Sequence, residues 1–299
     1  MKTIFVHNAT ILDCAILFPE LGPQGRSWHV DVFWSGKVAS DGVLVDFSEA
    51  KKLAKQVIDS QFDHRLIVPA ECLRSTEGGR SLVSSVWKKD ATAGVFVLNC
   101  FENALANVED SVVFSLRAGN LTAFEALLGA AVLDASPSNV AEVKVRLRAT
   151  EEHCSNYFSY THSLRLHHGN CQRFHGHSNV IEVLRRGEID PRASTLAAQF
   201  LDGTYLVPSD YVQQKSSGRL CSVEECVRGM GADVAEHVLV GYSGSQGEVA
   251  LAVPRSVYLC TPSESSIEAI ADFVKSTLFA NEDVRVVAYE GLQKGAWSS

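Results

Sequence analysis

The pattern of strands and helices along this 299-residue chain runs through once and starts again near residue 155. Each half reads strand, strand, helix, helix, strand, and that recurrence restricts the fold more than any single motif. In the first half, residues 3–16 and the alternating run SWHVDVFWSG (27–36) read as strands joined by the turn cluster PELGPQG. Ser48 is an N-cap candidate for a helix to about Ile58, and helical patterns follow over 102–116 and 121–133. Residues 75–100 read as an irregular excursion with a hairpin around AGVFVLN, and VAEVKVRLRAT closes the half as a strand. In the second half YFSYTHSLRL and HSNVIEVLRRG read as strands, GEIDPRAS as a turn and QQKSSGR as an exposed loop. SVEECVRGM is a short helix, and TPSESSIEAIADFVKSTL is a capped helix with an apolar face at Ile267, Ile270, Ala271 and Val274. The strand VRVVAYEG ends the order. Two tandem units are expected, 1–154 and 155–299, each of single-domain size.

Laid over one another, the halves differ most where chemistry could reside. Ser27–Val32 falls opposite Ser178–Val183, Phe5 opposite Phe158, FENALA opposite SESSIEA, and Glu151 opposite Glu290. His175 and His177 are spaced to share one face of a strand, and a hairpin would bring His162 to join them. Three neutral imidazoles with an open fourth position suit a catalytic Zn²⁺ better than a structural one; buried structural histidines are the alternative. Cys171, in the connecting loop, is a fourth ligand or a reactive thiol. The first half offers Gln24 and Arg26 opposite His175 and His177, Glu20 opposite Cys171 and Ala9 opposite His162. It therefore lacks every ligand, yet it keeps an Asp63-His64 pair, which falls opposite Glu236-His237.

Composition excludes several function classes. A formal charge of −8 argues against nucleic-acid binding, which needs a basic face. No run reaches the roughly 18 apolar residues of a membrane span. The apolar N-terminus is broken by His7, Asn8 and Asp13, so a strand is expected there and no signal peptide. Eight scattered cysteines fit reduced thiols and a cytoplasmic location, and the Cys221/Cys226 pair has no matching second pair.

The segments FSYTH, CQRFHGH, GVLVDF, FDH and VAYEG together resemble the 6-pyruvoyl-tetrahydropterin synthase / 6-carboxytetrahydropterin synthase family. CxxxHGH with an upstream histidine is the specific part, and its spacing is nearer the bacterial carboxytetrahydropterin synthases of queuosine synthesis. The resemblance implies an α+β architecture: two tandem T-fold units (ββααββ), antiparallel sheets with helices on one face, assembling into a barrel as a homo-oligomer. It implies active sites shared between units, the metal face from one and the Asp-His pair from another. It further implies Zn²⁺ on His162, His175 and His177, with Cys171 as proton-abstracting thiolate. His64, oriented by Asp63, would be the second acid/base, with His237 as rival for that role, and Glu290 would hold the pterin. The expected activity is a zinc-dependent lyase converting 7,8-dihydroneopterin triphosphate to 6-carboxy-tetrahydropterin, releasing triphosphate and acetaldehyde. A 6-pyruvoyl product, or a T-fold protein that binds a pterin or purine without turnover, is the alternative.

Overall fold

The computed structural model describes residues 1–89, 92–149, 154–212, 219–291 and 294–299. Two long strands open the chain, β1 (Lys2–Phe18) and β2 (Gly22–Gly36), followed by α1 (Phe47–Gln61) and the short β3 (Leu66–Pro69). An arm of three strands follows, β4 (Leu73–Glu77), β5 (Arg80–Lys89) and β6 (Thr92–Phe101). The chain returns through β7 (Leu105–Val108), α2 (Asp110–Arg117), α3 (Thr122–Asp134) and β8 (Val140–Ala149). The second half repeats this layout with β9 (Tyr157–His162), β10 (His175–Arg185), β11 (Glu188–Ile189), α4 (Pro191–Leu201) and β12 (Thr204–Pro208). Its own arm is α5 (Arg219–Gly229), β13 (His237–Gly244) and β14 (Gly247–Pro254), before β15 (Tyr258–Thr261), α6 (Ile267–Leu278), β16 (Val284–Gly291) and β17 (Lys294–Ser298).

The fold is mixed α+β, with six α-helices among the described residues. One sheet runs β7-β3-β1-β2-β8 and a second runs β15-β12-β9-β10-β16-β17, so corresponding strands occupy corresponding places. The expected all-antiparallel pairing holds for the long strands only. β3 pairs parallel with β1 and β7, and β12 parallel with β9 and β15, because β3 and β12 are reached by crossovers through α1 and α4, and β7 and β15 by way of the arms. The two arms join in a third sheet, β13-β14-β6-β5-β4, that belongs to both halves. The irregular excursion at 75–100 is thus ordered by strands contributed about 150 residues later.

Apolar spacing explains the helices that were legible. α6 buries Ile267, Ile270, Ala271 and Val274 as its periodicity requires, and Ser266 caps it by accepting from the Ala269 N–H. α1 is capped by Asp46, which accepts from the Ser48 and Glu49 N–H groups, so Ser48 lies inside the helix. The helical pattern at 102–116 splits into a single 3₁₀ turn, β7 and α2. Parallel pairing of β7 with β3 overrides local propensity there. GEIDPRAS holds β11 and the start of α4: Asp190 caps the Arg192 and Ala193 N–H groups, with Pro191 in the first turn.

The halves meet where β2 approaches β9 and β10. Ser27 N–H donates to Ser178 Oγ (2.9 Å) and Ser178 N–H donates to Ser27 Oγ (3.1 Å), a reciprocal pair with local two-fold character. A Cβ on Gly25 would collide with the carbonyls of Tyr160 and His177, so glycine is required for the close backbone approach.

Candidate functional site

The histidine cluster follows from strand register. β9 and β10 pair antiparallel with His162 opposite His175, and His177 stands two residues along the same face. One nitrogen from each of the three lies within 4.8 Å of the others, and all three rings are buried. His162 Nδ1 donates to the Ser265 carbonyl at 3.0 Å, just before α6, and His175 Nδ1 donates to the Arg173 carbonyl at 2.8 Å. That leaves both Nε2 atoms as bare lone pairs, and they face each other at 3.1 Å. Burial, reinforced by the neighbouring imidazoles, pushes the pKa of His162 and of His175 well below the ordinary histidine value. Neutral rings with converging lone pairs fit a divalent cation, which would remove the repulsion between them.

The first half completes this constellation. His64, held at a positive φ of 52° between α1 and β3, places its ring 4.6 Å from His175 and 6.1 Å from His177, centroid to centroid. Asp63 Oδ2 lies 2.5 Å from His64 Nδ1, and the Cys171 thiol acts electrostatically on the same imidazole. Burial alone would lower the His64 pKa; Asp63 and Cys171 outweigh it and raise the pKa to about 11. His64 thus stands beside the three imidazoles with Asp63 fixed on its Nδ1.

Asp13 carries no motif and was not singled out from the sequence. It reaches across from β1 to put Oδ1 3.3 Å from His177 Nδ1, an ion-pair distance without good hydrogen-bond alignment. Its carboxylate also accepts from Ser27 Oγ, its N–H donates to Asp63 at 2.9 Å, and its carbonyl accepts from the His64 N–H at 2.7 Å. Burial opposes ionisation, but His177, Ser27 and His64 hold the Asp13 pKa below the usual carboxylate value. The only sequence signal was an acid inside the otherwise apolar run ILDCAILF.

The second-half arm fixes the loop carrying Cys171, a short 3₁₀ turn over Gly169–Gln172. Tyr242 donates to the Gln172 carbonyl at 2.7 Å, and Gln172 Oε1 accepts from Ser245 Oγ and the Gln246 N–H at 3.1 Å each. The β13–β14 hairpin therefore holds the thiol loop in place.

Register also corrects the sequence overlay. Pro69 and Pro208 end the equivalent strands β3 and β12; Ile16 then matches His162, and Asp202-Gly203 matches Asp63-His64. Ser159 N–H donates to Asp202 Oδ1 at 2.9 Å and Gly203 N–H to the Ser159 carbonyl at 2.8 Å, repeating the bonds that Asp13 makes. Ala9 and Glu236-His237 are therefore not the counterparts. His237 lies on the arm sheet, where Nε2 accepts from the Val95 N–H (3.1 Å) and Nδ1 donates to the Asp233 carbonyl (2.7 Å). Both ring nitrogens are committed to structure, so His237 is not brought to the cluster. Glu290, half-buried on β16, acts electrostatically on the buried Tyr160, whose ring is 5.5 Å from His177. Glu151 lies outside the described residues.

A cavity of about 500 Å³ opens onto Asp63 and His64, with Lys51, Lys55 and Lys294 on its walls. Among the described residues no helix is long and apolar enough to cross a membrane.

The family model for 6-pyruvoyl tetrahydropterin synthase matches residues 22–106 and 152–202. Among solved structures, the chain is similar to 6-pyruvoyl tetrahydropterin synthase from Plasmodium falciparum, at 14% identity and a TM-score of 0.36, over 50% of this chain and 91% of that one. It is similar also to the Plasmodium vivax protein of the same name, at 15% identity and a TM-score of 0.32, over 50% of this chain and 98% of that one. No curated protein matches.

Proposed function

We infer that this chain, a member of the 6-pyruvoyl tetrahydropterin synthase family through matches in both of its halves, is a zinc-dependent lyase acting on 7,8-dihydroneopterin triphosphate. In this reading its product is 6-carboxy-tetrahydropterin, formed with loss of triphosphate and acetaldehyde, as a queuosine-pathway enzyme would do. The observation that carries the reading is the assembly of three imidazoles from the second half with Asp63 and His64 from the first.

His162, His175 and His177 would hold the ion through Nε2, because their Nδ1 atoms face Ser265, Arg173 and Asp13. A bound Zn²⁺ supplies Lewis acidity toward side-chain oxygens of the substrate. The chain's own groups then handle the protons. Cys171 as thiolate removes a proton from the substrate side chain, and its loop is kept in reach by Tyr242, Ser245 and Gln246. His64, protonated and fixed by Asp63, delivers a proton to the oxygen or carbon that becomes basic. Glu290 accepts hydrogen bonds from the pterin amino and ring N–H groups. Lys51, Lys55 and Lys294 give the cavity beside His64 the charge that a triphosphate requires.

The two sheets of equal strand order are read as tandem T-fold units, 1–154 and 155–299. Sheet edges at β8 and β17 would be covered by assembly of chains into a barrel. Mass spectrometry of products formed from dihydroneopterin triphosphate by zinc-replete protein tests the reading. A 6-carboxy product, lost in Cys171→Ala, is expected. A 6-pyruvoyl product would reassign the reaction, and pterin binding without turnover would overturn the lyase.

A further inference from the structure

We propose that the first-half counterpart of the histidine cluster is a second ligand site, built around Arg26 and selective for a planar organic oxyanion. Strand register places Ile16 where the second half has His162, and Gln24 and Arg26 where it has His175 and His177. The supporting groups have changed together with the ligands. Ser159 stands in the place of Asp13 and Gly203 in the place of His64, and the start of α3, which corresponds to the α6 start that supplies Ser265, brings Leu121 to the cavity. A side chain with no lone pair to donate has replaced a ligand, so a metal is excluded chemically.

The space has been kept. A cavity of about 330 Å³ is lined by Ile16, Phe18, Arg26, Trp28, Arg117 and Tyr157, among others, and none of the described lining residues is acidic. That volume lies at the lower end of small-molecule sites. Arg26 donates from Nη1 to the Gly25 carbonyl at 2.7 Å, and its guanidinium sits 5.9 Å from the centroid of the Phe18 ring. Among the described residues no carboxylate forms an ion pair with it, and Arg117 has only a distant partner, Glu20, at 3.8 Å. Fixed positive charge therefore stands at the strand position that carries His177 in the other half. A guanidinium recognises carboxylate or phosphate through paired N–H donors. Phe18, Trp28 and Tyr157 supply aromatic walls for a flat ring. The site does not depend on the lyase reading, since it uses none of the residues of the histidine cluster.

Equilibrium dialysis of the full-length chain, metal-stripped to silence the histidine cluster, with pterin-6-carboxylate as probe tests this. One saturable site per chain is expected in wild type, and it should persist in Glu290→Gln, which removes the carboxylate assigned to the pterin in the lyase site. Arg26→Gln should weaken it at least tenfold, Arg117→Gln less, and Arg26→Lys should weaken it while keeping the near-ultraviolet circular dichroism of the folded protein. Wild-type affinity in the folded Arg26→Lys and Arg117→Gln proteins, or no saturable binding to the metal-stripped chain, would overturn the site. Equal affinity for inorganic triphosphate would overturn its preference for a planar ligand.

Discussion

Two places in this molecule have the same backbone and opposite chemistry. Around β9 and β10 stand three buried imidazoles, backed by Ser265, the Arg173 carbonyl and Asp13, and faced by His64. Around β1 and β2 the same positions hold Ile16, Gln24 and Arg26, faced by Gly203. Even the special backbone is shared: His64 has a φ of 52° and Gly203 a φ of 66°. A left-handed residue costs little as glycine and more as histidine, so the conformation on the His64 side is retained against its own cost. Both halves keep the aspartate, Asp63 and Asp202, but the imidazole beside it survives only in the first half and the three clustered imidazoles only in the second.

Several variants would break or sharpen this comparison. His64→Ala carries the largest expected effect, a fall in kcat of roughly 10²–10⁴-fold with metal content unchanged, as loss of an acid/base group implies. Loss of metal in this variant would instead make His64 a ligand. Asp13→Asn comes next: losing the carboxylate beside His177 should weaken metal affinity about 10–100-fold, read by competition with a chelator. An unchanged affinity would reduce Asp13 to a link between halves. His237→Ala should destabilise the fold by about 1–3 kcal/mol through the stranded Val95 N–H, while the folded fraction keeps its metal and turnover.

The smallest effect concerns pH. His64 is raised from the ordinary histidine value to about 11, so its contribution to stability in metal-free protein is complete below about pH 6.5. It is lost as pH climbs through the folded value. Denaturant titrations of metal-free wild type should show stability declining between neutral and strongly alkaline pH, with a shallower decline in His64→Ala. Parallel curves would mean that the Asp63–His64 pair is not assembled without metal.

What was readable in the sequence was local. The HGH pair with an upstream histidine announced the cluster, because strand periodicity alone places the side chains. Asp63-His64 was readable as a motif, but its partner was mistaken. An acid-histidine pair before an apolar strand also occurs at Glu236-His237, and only the parallel pairing of β3 and β12 identifies Asp202-Gly203 as the equivalent. Such pairing is non-local and leaves no trace in a window of residues. Asp13 was hidden for the same reason, since its partner His177 lies more than 160 residues away. α4 was missed despite its Asp190 cap and Pro191, which were turn signals and helix-start signals at once.

The central claim is that one chain supplies both sides of its own active centre. Co-expression of a His64→Ala chain with a His175→Ala chain, followed by isolation of mixed assemblies through two different tags, tests it most directly. A centre built within the chain requires that the mixture stay inactive, because no single chain holds both His64 and His175. Recovery of activity toward a quarter of the wild-type level would contradict it, showing that the first half of one chain serves the second half of another.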